Sequence, residues 1–400
     1  MENNDRRQFL KLAGLSIAPI LIPGMTYADN LSFLNDRPEE KNTELKPLVN
    51  FVSDGLSFSP SQYISKLVEI DAAKEIKADF YGNEGATRAL EEAFAKLTGK
   101  EKAVYLPSGT MANQLAIKLL NGENTKVMVP ENSHIYRDEA DAAQSVHNLR
   151  LVPLGKGKAS FTLKDLEAEL SYIENEEVFK SGMGTVAIEN PVRRADGAFV
   201  PLQTIKDISV YCKAKGLNMH LDGARLHIAS AFSKVSIAEY TACFDTVYIS
   251  LYKYLNAGGG AVLCGNAHVI DKIGHQVKIY GGVQYQTWQN TSMALHYLNG
   301  CDERWKQVAD KTALFISQVN KINDLSITKI ENGTNIFMFK IGKTIKPDVF
   351  VRSLYKEHNI FVGWPSEEGE THLQVNDSLL NQKLEDITLA FKECAGKAIK

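Results

Sequence analysis

The sequence predicts an α/β protein: a mostly parallel sheet flanked by helices, followed by a smaller C-terminal α+β domain. From about residue 79, short runs rich in Val, Ile, Leu or Tyr alternate with amphipathic stretches, which is typical of βα units. From about residue 300 this alternation ends, and a charged helix precedes several strand-like runs. The 400 residues fit two to three domains, since a domain averages roughly 150 residues.

Apolar runs and helical periodicity locate the individual elements. Strands of the large domain are expected at Ala103–Pro107, Lys126–Pro130, Leu149–Leu154, Thr185–Asn190, Leu217–Leu221 and Asp245–Leu251. Helices between them are expected at Ala86–Leu97, Met111–Leu120, Leu163–Tyr172 and Leu202–Lys215. The small domain is expected to contain a helix at Glu303–Ile322, strands at Leu325–Ile330, Asn335–Ile341, Asn359–Trp364 and His372–Val375, and a final helix near Leu379–Cys394.

The N-terminus has the layout of an export signal. Arg6 and Arg7 precede Phe-Leu-Lys, an apolar run covers Leu12–Ile22, and small residues lead to an expected cleavage after Ala28. The run is too short for an ordinary membrane span. We therefore predict a twin-arginine signal and a periplasmic protein, with an ordinary secretory signal or an uncleaved anchor as alternatives.

These features divide the chain into four expected segments: a signal peptide at 1–28, a linker at 29–50, a large domain with an N-terminal arm at 51–300, and a small domain at 301–400. The net charge of −3 gives no reason to expect nucleic acid or an anionic membrane as a partner. The five cysteines show no CxxC spacing, and we expect free thiols.

Polar residues follow the predicted strands where ligands bind in open α/β sheets, beyond the carboxyl ends. Ser108-Gly109-Thr110 ends one strand and opens a helix, where exposed N–H groups bind phosphate; the alternative is an ordinary helix cap. His134 follows another strand and could stack on a flat ring or move protons, although a lone histidine more often has a structural role.

Two further strand ends carry charged residues. Asp222 could pair with a pyridinium nitrogen, and Arg225 could clamp a carboxylate; the alternative is a structural ion pair. Lys253 lies between a strand and a glycine-rich turn, where a desolvated amine can form a Schiff base; the alternative is a lysine that reaches solvent. A metal site built from His220, Asp222 and His227 is a weaker rival, because His227 lies in the next turn.

Together these motifs resemble the threonine aldolase and aromatic amino acid β-eliminating lyase family of fold-type-I pyridoxal-phosphate (PLP) enzymes. The matching stretches are Asp79–Gly82, Leu106–Leu115, Ser133–Glu139, Glu189-Asn190, His220–Leu226 and Ser250–Gly265. The resemblance implies a seven-stranded sheet, PLP as cofactor and no metal. It also implies a homodimer or homotetramer whose sites are shared between subunits.

The resemblance further implies a role for each matching residue. Ser108, Gly109 and Thr110 would bind the phosphate, His134 would stack on the ring, Asp222 would bind its nitrogen, Arg225 would lie near the substrate carboxylate or the cofactor, Lys253 would bind the aldehyde, and Ser53 and Tyr81 would lie near the substrate. Lys253, His134 and Asp222 would be catalytic. The implied reaction cleaves a β-hydroxy-α-amino acid to glycine and an aldehyde.

The sequence departs from the family pattern in four places. Tyr252 replaces a serine, Tyr254-Leu255-Asn256 replaces Gly-Leu-Gly, Tyr285 replaces an arginine that helps hold phosphate, and His372 stands where an arginine binds the substrate's α-carboxylate. Neither tyrosine nor neutral histidine offers a guanidinium fork. Other PLP chemistry therefore stays an alternative, namely β-elimination, racemisation or transamination, as does an exported protein that binds PLP or amino acids without turnover.

Overall fold

The structure, a computed structural model, describes residues 46–400. Its strands are β1 (Val49–Asn50), β2 (Lys102–Leu106), β3 (Lys126–Pro130), β4 (Arg150–Leu154), β5 (Met183–Glu189), β6 (Asn218–Asp222), β7 (Thr246–Ser250), β8 (Ala261–Gly265), β9 (Leu325–Lys329), β10 (Ile336–Ile341), β11 (Ile360–Phe361) and β12 (Glu370–Gln374). Seven of them form the central sheet in the order β2-β8-β7-β6-β5-β3-β4. β8 pairs antiparallel with both neighbours and the other pairs are parallel, which confirms the predicted mostly parallel seven-stranded sheet.

Helices cover the sheet and form much of the C-terminal part. They are α1 (Pro60–Ala73), α2 (Gly85–Thr98), α3 (Gly109–Asn121), α4 (His134–Arg137), α5 (Ala142–His147), α6 (Leu163–Glu176), α7 (Leu202–Lys215), α8 (Leu226–Ser233), α9 (Ile237–Thr241), α10 (Ala267–Ile279), α11 (Trp288–Leu298), α12 (Cys301–Val319), α13 (Pro347–His358) and α14 (Leu384–Lys397). Short 3-10 turns lie at Arg193–Ala195 and Asp377–Asn381.

Local signals explain several boundaries. α6 begins with a capping box in which Thr162 and Asp165 satisfy each other's backbone N–H groups. α2 ends at Gly99, whose φ of 65° is the left-handed conformation that glycine adopts at helix ends. β7 is buried along its whole length, as expected for an apolar strand covered on both faces.

The C-terminal part contains an antiparallel sheet in the order β12-β10-β9, as the predicted α+β domain requires. The predicted strand Asn359–Trp364 is shorter than expected and lies outside this sheet: β11 pairs in parallel with β1. Val49 and Asn50, at the end of the predicted linker 29–50, are thus buried strand residues, whereas residues 29–45 lie outside the described residues. The apolar side chain of Val49 and the exchange of backbone hydrogen bonds hold the arm there.

One large buried cluster joins both parts, from Leu221 and Val247 in the central sheet to Phe339 and Phe391 near the C-terminus. The boundary at 300/301 therefore stays a prediction. All five cysteines are free thiols, as predicted. Within residues 46–400, no helix combines the length and apolarity that crossing a membrane demands. The predicted signal peptide lies outside the described residues.

Candidate active site

Lys253 lies just beyond the carboxyl end of β7, in a turn covered by the N-terminal arm. A Cβ at Gly55 would overlap the Lys253 carbonyl and lie 2.5 Å from Asn256 Oδ1, so glycine allows the arm to pack directly on this turn. Asn256 Oδ1 accepts a hydrogen bond from the Leu56 N–H at 2.7 Å. The arm thus forms one wall of the space around Lys253.

That space is a cavity of about 220 Å³. Its lining includes the lysine, polar groups and aromatic side chains: Ser53, Asp54, Phe58, Tyr63, Arg225, Tyr252, Lys253 and Asn256. The Lys253 Nζ lies 5.5 Å from the centre of the Tyr252 ring. The cavity therefore has an amine, a guanidinium, a carboxylate and a phenol within one small volume.

The environment of Lys253 favours its neutral form. Burial, followed by the positive charge of Arg225, lowers the pKa of Lys253 to about 7, although the negative charges of Asp222, Asp54 and Glu189 oppose the shift. A neutral amine at physiological pH is a nucleophile, whereas an ordinary lysine is almost fully protonated. A substantial fraction of Lys253 is therefore neutral near pH 7, and the neutral amine is the form that attacks an aldehyde.

Arg225 is already paired in the cavity wall. Its Nε donates to Asp54 Oδ2 at 2.8 Å, and both side chains are largely buried. The other Asp54 oxygen accepts a hydrogen bond from Gln374 of β12. Arg225 thus belongs to a buried ion pair, and its remaining N–H donors are those that a substrate carboxylate could use.

Asp222, the last residue of β6, is held by two donors. Its Oδ1 accepts from the Ala224 N–H at 3.1 Å, and its Oδ2 accepts from Asn113 Nδ2 at 2.9 Å. Asn113 Nδ2 also donates to Glu139 at 2.8 Å. The buried Asn113 amide donates one N–H to each carboxylate, and it therefore fixes the positions of Asp222 and Glu139 relative to each other.

Behind this amide lies a buried neutral histidine. His220 Nε2 lies 2.9 Å from Asn113 Oδ1, and His220 Nδ1 lies 2.8 Å from Thr246 Oγ1. Burial lowers the pKa of His220 to about 4, so the ring is neutral. Nε2 then donates to Asn113 and Nδ1 accepts from Thr246, which sets the orientation of the amide.

His134 begins α4 directly after β3, and two acidic groups fix it. Its Nδ1 lies 3.0 Å from Glu139 Oε1, and its backbone N–H donates to Glu189 Oε2 at 2.6 Å. Burial lowers the pKa of His134, but the Glu139 hydrogen bond and the charges of Asp222, Glu139 and Glu189 outweigh it and raise the pKa overall. The His134 ring is a titratable group. Its Nδ1 is occupied by the hydrogen bond to Glu139, whereas its Nε2 is left for another partner.

The start of α3 offers a phosphate site. Ser108 caps the helix by accepting from the Met111 N–H at 3.2 Å. The N–H groups of the first turn have no acceptor within the helix. A Cβ at Gly109 would overlap the hydroxyl of Tyr248 in β7. Only glycine therefore allows the start of α3 to pack this closely against that side chain. These features fit an anion at the helix N-terminus.

Two predicted substrate residues lie away from the cavity. Tyr81 is exposed and its ring packs edge-on against Tyr285 with centroids 5.3 Å apart. His372 lies on β12, with Nε2 3.8 Å from Asp196 Oδ1. Ser53 does line the cavity, and its hydroxyl donates to the Gly55 carbonyl at 2.7 Å. The substrate roles of Tyr81 and His372 stay predictions.

The rival metal site does not assemble as proposed. Both ring nitrogens of His220 are hydrogen-bonded, to Thr246 and to Asn113. His227 Nδ1 lies 2.9 Å from the Tyr254 hydroxyl. His134, Glu139 and Asp222 do bring donor atoms within 4.8 Å of one another. However, the Asn113 amide already bridges the two carboxylates of that group, and His134 is hydrogen-bonded to Glu139.

The residues present fit PLP. A neutral amine, an anchored carboxylate, a helix N-terminus for phosphate and an imidazole are the groups that this cofactor needs. Sequence reasoning missed Asp54, Asn113, Glu139 and Tyr248 as members of the site. Asp54 neighbours Ser53, and Asn113 belongs to the helix-start motif, so the sequence did point to the neighbourhood of both residues. It did not point to Tyr248, which has the pattern of an ordinary strand residue.

Comparisons with known proteins agree with this geometry. The model of the beta-eliminating lyase family matches residues 53–342. A probable low-specificity L-threonine aldolase of Schizosaccharomyces pombe is 34% identical over 230 residues, covering 57% of this chain and 60% of that protein. The low specificity L-threonine aldolase of Saccharomyces cerevisiae is 26% identical over 332 residues, covering 82% and 83%.

The chain spans less than two thirds of some relatives, including 58% of a low-specificity L-threonine aldolase of Candida albicans, which is 29% identical over 55% of this chain. Among solved structures, a putative L-allo-threonine aldolase from Listeria monocytogenes has a TM-score of 0.72 at 23% identity, covering 88% of this chain and 97% of that chain. At this identity the structural likeness establishes the fold. Since the family match extends over well more than half of its residues, the chain belongs to the beta-eliminating lyase family of fold-type-I PLP enzymes.

Proposed function

We propose that this chain is a lyase that cleaves a β-hydroxy-α-amino acid to glycine and an aldehyde with PLP. The observation that carries the proposal is the Lys253 amine, whose pKa burial lowers to about 7, in a cavity that also contains Arg225. The relatives named above, called low-specificity L-threonine aldolases, support the reaction class.

Each part of the site has a task in this reaction. Bound PLP supplies an aldehyde for the substrate amine and a ring that withdraws electrons from the bond to be broken. Lys253 would hold the aldehyde, Asp222 the ring nitrogen, the start of α3 the phosphate, and His134 the ring face. Asn113 and Ala224 keep the Asp222 carboxylate in place through hydrogen bonds at 2.9 and 3.1 Å.

Proton transfer would fall to His134 and Lys253. Glu139 occupies His134 Nδ1, so His134 Nε2, directly or through a water, is the atom that would take the proton of the β-hydroxyl group. Lys253, with a pKa of about 7, can both accept and return a proton near neutral pH. Arg225 would orient the substrate by its carboxylate.

The test incubates PLP-loaded protein with L-threonine and with L-allo-threonine and assays acetaldehyde and glycine. We expect equal amounts of both products, and loss of turnover in Lys253→Ala. Absence of acetaldehyde from both substrates would reject threonine-type aldol cleavage. A Lys253→Ala variant that retained wild-type turnover would reject the assignment of the lysine.

A second candidate is another PLP reaction on a different amino acid. Tyr252 favours it, because this tyrosine, whose ring centre lies 5.5 Å from the Lys253 amine, brings a phenol to a position where the family has serine. Pyruvate with ammonia, the opposite enantiomer, or a keto acid would identify elimination, racemisation or transamination respectively. Binding of PLP or amino acids without any product would instead support the non-catalytic alternative.

We also propose export through the twin-arginine pathway to the periplasm. Arg6 and Arg7, the following apolar run and the small residues before position 28 support it. In a bacterial host with this pathway, replacing both arginines by lysine should move the protein from the periplasmic to the cytoplasmic fraction. N-terminal sequencing of the exported protein should begin at Asp29. Unchanged export of the double variant would reject the pathway.

A homodimer or homotetramer is the proposed assembly. The exposed rings of Phe80 and Tyr81 both pack against the exposed ring of Tyr285, and α1 carries exposed Ile64 and Val68 with no fully buried residue. Apolar groups gathered on a surface are typical of subunit contacts. Light scattering after gel filtration should give a multiple of the chain mass, and Tyr285→Glu should lower it. A monomeric wild type would reject the assembly.

A further inference from the structure

An amino-acid substrate brings a carboxylate into the cavity, where the positively charged Arg225 is already paired with Asp54. The Arg225 guanidinium donates to the buried Asp54 carboxylate at 2.8 Å, so the positive charge of Arg225 is largely balanced before a substrate arrives. A second positive group would restore the attraction for an anion. This reasoning rests on the proposed function, since it presupposes an amino acid as substrate.

The position expected to supply that group does not offer it. His372 stands on β12 and directs Nε2 toward Asp196 Oδ1 at 3.8 Å. An imidazole has no fork of parallel N–H groups with which to grip a carboxylate. Asp196 follows the short turn Arg193–Ala195, so the same segment that meets His372 also carries two arginines.

The first of these arginines is fixed beside the site. The Arg193 N–H donates to Glu189 Oε1 at 2.8 Å, while the His134 N–H donates to the other oxygen, Oε2, at 2.6 Å. One buried carboxylate therefore holds the backbone of Arg193 and of His134 on its two sides. This bridge ties the start of the turn to the predicted ring-stacking histidine.

The Arg193 guanidinium is held loosely, unlike that of its neighbour. Its Nη1 lies 3.7 Å from Asp138 Oδ2, whereas Arg194 binds the same carboxylate through Nε at 2.9 Å and Nη2 at 2.5 Å. The Arg193 side chain is only 22% exposed. Because this ion pair is long, the N–H groups of the Arg193 guanidinium can bind a ligand without breaking a strong hydrogen bond.

The charge of Arg193 also reaches the cavity wall. Burial raises the pKa of Tyr252, while the positive charges of Arg225 and Arg193 oppose that rise. Tyr252 lines the cavity beside Lys253. From the Glu189 bridge and the loose ion pair with Asp138, we propose that Arg193 is a substrate-binding residue that supplies the second guanidinium for the α-carboxylate.

The test measures ligand binding by the PLP-loaded full chain with calorimetry and cofactor absorbance. Glycine is one probe, because it is the smallest amino acid with an α-carboxylate, and methylamine is the other, because it lacks that group. Arg193→Gln should weaken glycine binding by about 10- to 100-fold, the loss expected for a charge-assisted hydrogen bond, and leave methylamine binding unchanged. Arg193→Lys should restore part of the affinity.

Arg137→Ala is the matched control. It removes a positive charge from α4, one residue before Asp138, but its guanidinium is bound to Glu131. Glycine affinity of this variant should stay within twofold of the wild type. Equal weakening by Arg137→Ala, equal loss of glycine and methylamine in Arg193→Gln, or no change in Arg193→Gln would each overturn the inference alone. A wild type that binds no amino acid would overturn the proposed function with it.

Discussion

Gly109 and Tyr248 are in such close contact that a methyl group at position 109 would overlap the tyrosine hydroxyl. Gly109 is the first residue of α3 and Tyr248 lies in the buried strand β7, so this contact fixes how closely the helix N-terminus packs against the sheet. The N–H groups proposed to bind phosphate therefore take their position from a contact within the protein core.

Gly109→Ala should accordingly displace the start of α3. We expect about 1–3 kcal/mol of lost stability from overpacking and weaker PLP binding, measured by urea unfolding and by fluorescence titration. Gly274→Ala in α10 is the control, since its added methyl meets no atom within 4 Å. A Gly109→Ala protein with wild-type stability and PLP affinity would contradict the assignment.

Removing the amide that bridges Asp222 and Glu139 should damage both folding and cofactor binding. Asn113→Ala leaves buried acceptors without a donor, at a cost of about 1–3 kcal/mol each, and releases Asp222. We expect lower stability in urea and about tenfold weaker PLP binding. Asn175→Ala, on exposed α6 surface, should change stability by under about 0.5 kcal/mol. Unaltered PLP affinity in Asn113→Ala would show that the bridge does not orient Asp222.

The reactivity of Lys253 should follow its lowered pKa. In PLP-free protein, competitive acetylation read by mass spectrometry should be half-maximal for Lys253 near pH 7, while exposed lysines react only at higher pH. Arg225→Gln removes a positive charge that disfavours protonation, so the midpoint should move to higher pH. A Lys253 profile that coincides with that of the exposed lysines would refute the desolvated environment.

Acid should destabilise the protein partly through His227. Burial, followed by the charge of Arg304, lowers the pKa of His227 to about 3 from 6.5. The unfolded chain then binds the extra proton first, so this contribution to stability is complete above pH 6.5 and is lost as the pH falls toward 3. His227→Gln should lose roughly 2 kcal/mol less than the wild type between pH 7 and pH 5.

The control for this measurement is His268→Gln at an exposed position, which should keep the wild-type dependence on pH. Urea unfolding at both pH values provides the free energies. A wild-type slope in His227→Gln would mean that other groups carry the acid sensitivity.

Sequence patterns predicted the sheet because buried parallel strands are continuous apolar runs, as in β7. They missed β8, since Ala261–Gly265 follows directly on three glycines and reads as part of the turn. Asp222, His134 and Lys253 were predicted because the carboxyl ends of parallel strands meet at one edge. The contact of Leu56 with Asn256 joins residues 200 positions apart, and no local pattern encodes it.

The arm that covers Lys253 is held by residues near the far end of the chain. Asn376 Nδ2 donates to the carbonyls of Asn50 and Ser53, and the Ser378 hydroxyl accepts from the Asn50 N–H at 2.8 Å. During synthesis, Ser53 and Asp54 leave the ribosome more than 300 residues before these partners. The wall of the cavity can therefore close only after Asn376 and Ser378 have been synthesised, and a finished pocket reports a chain that extends at least to these residues.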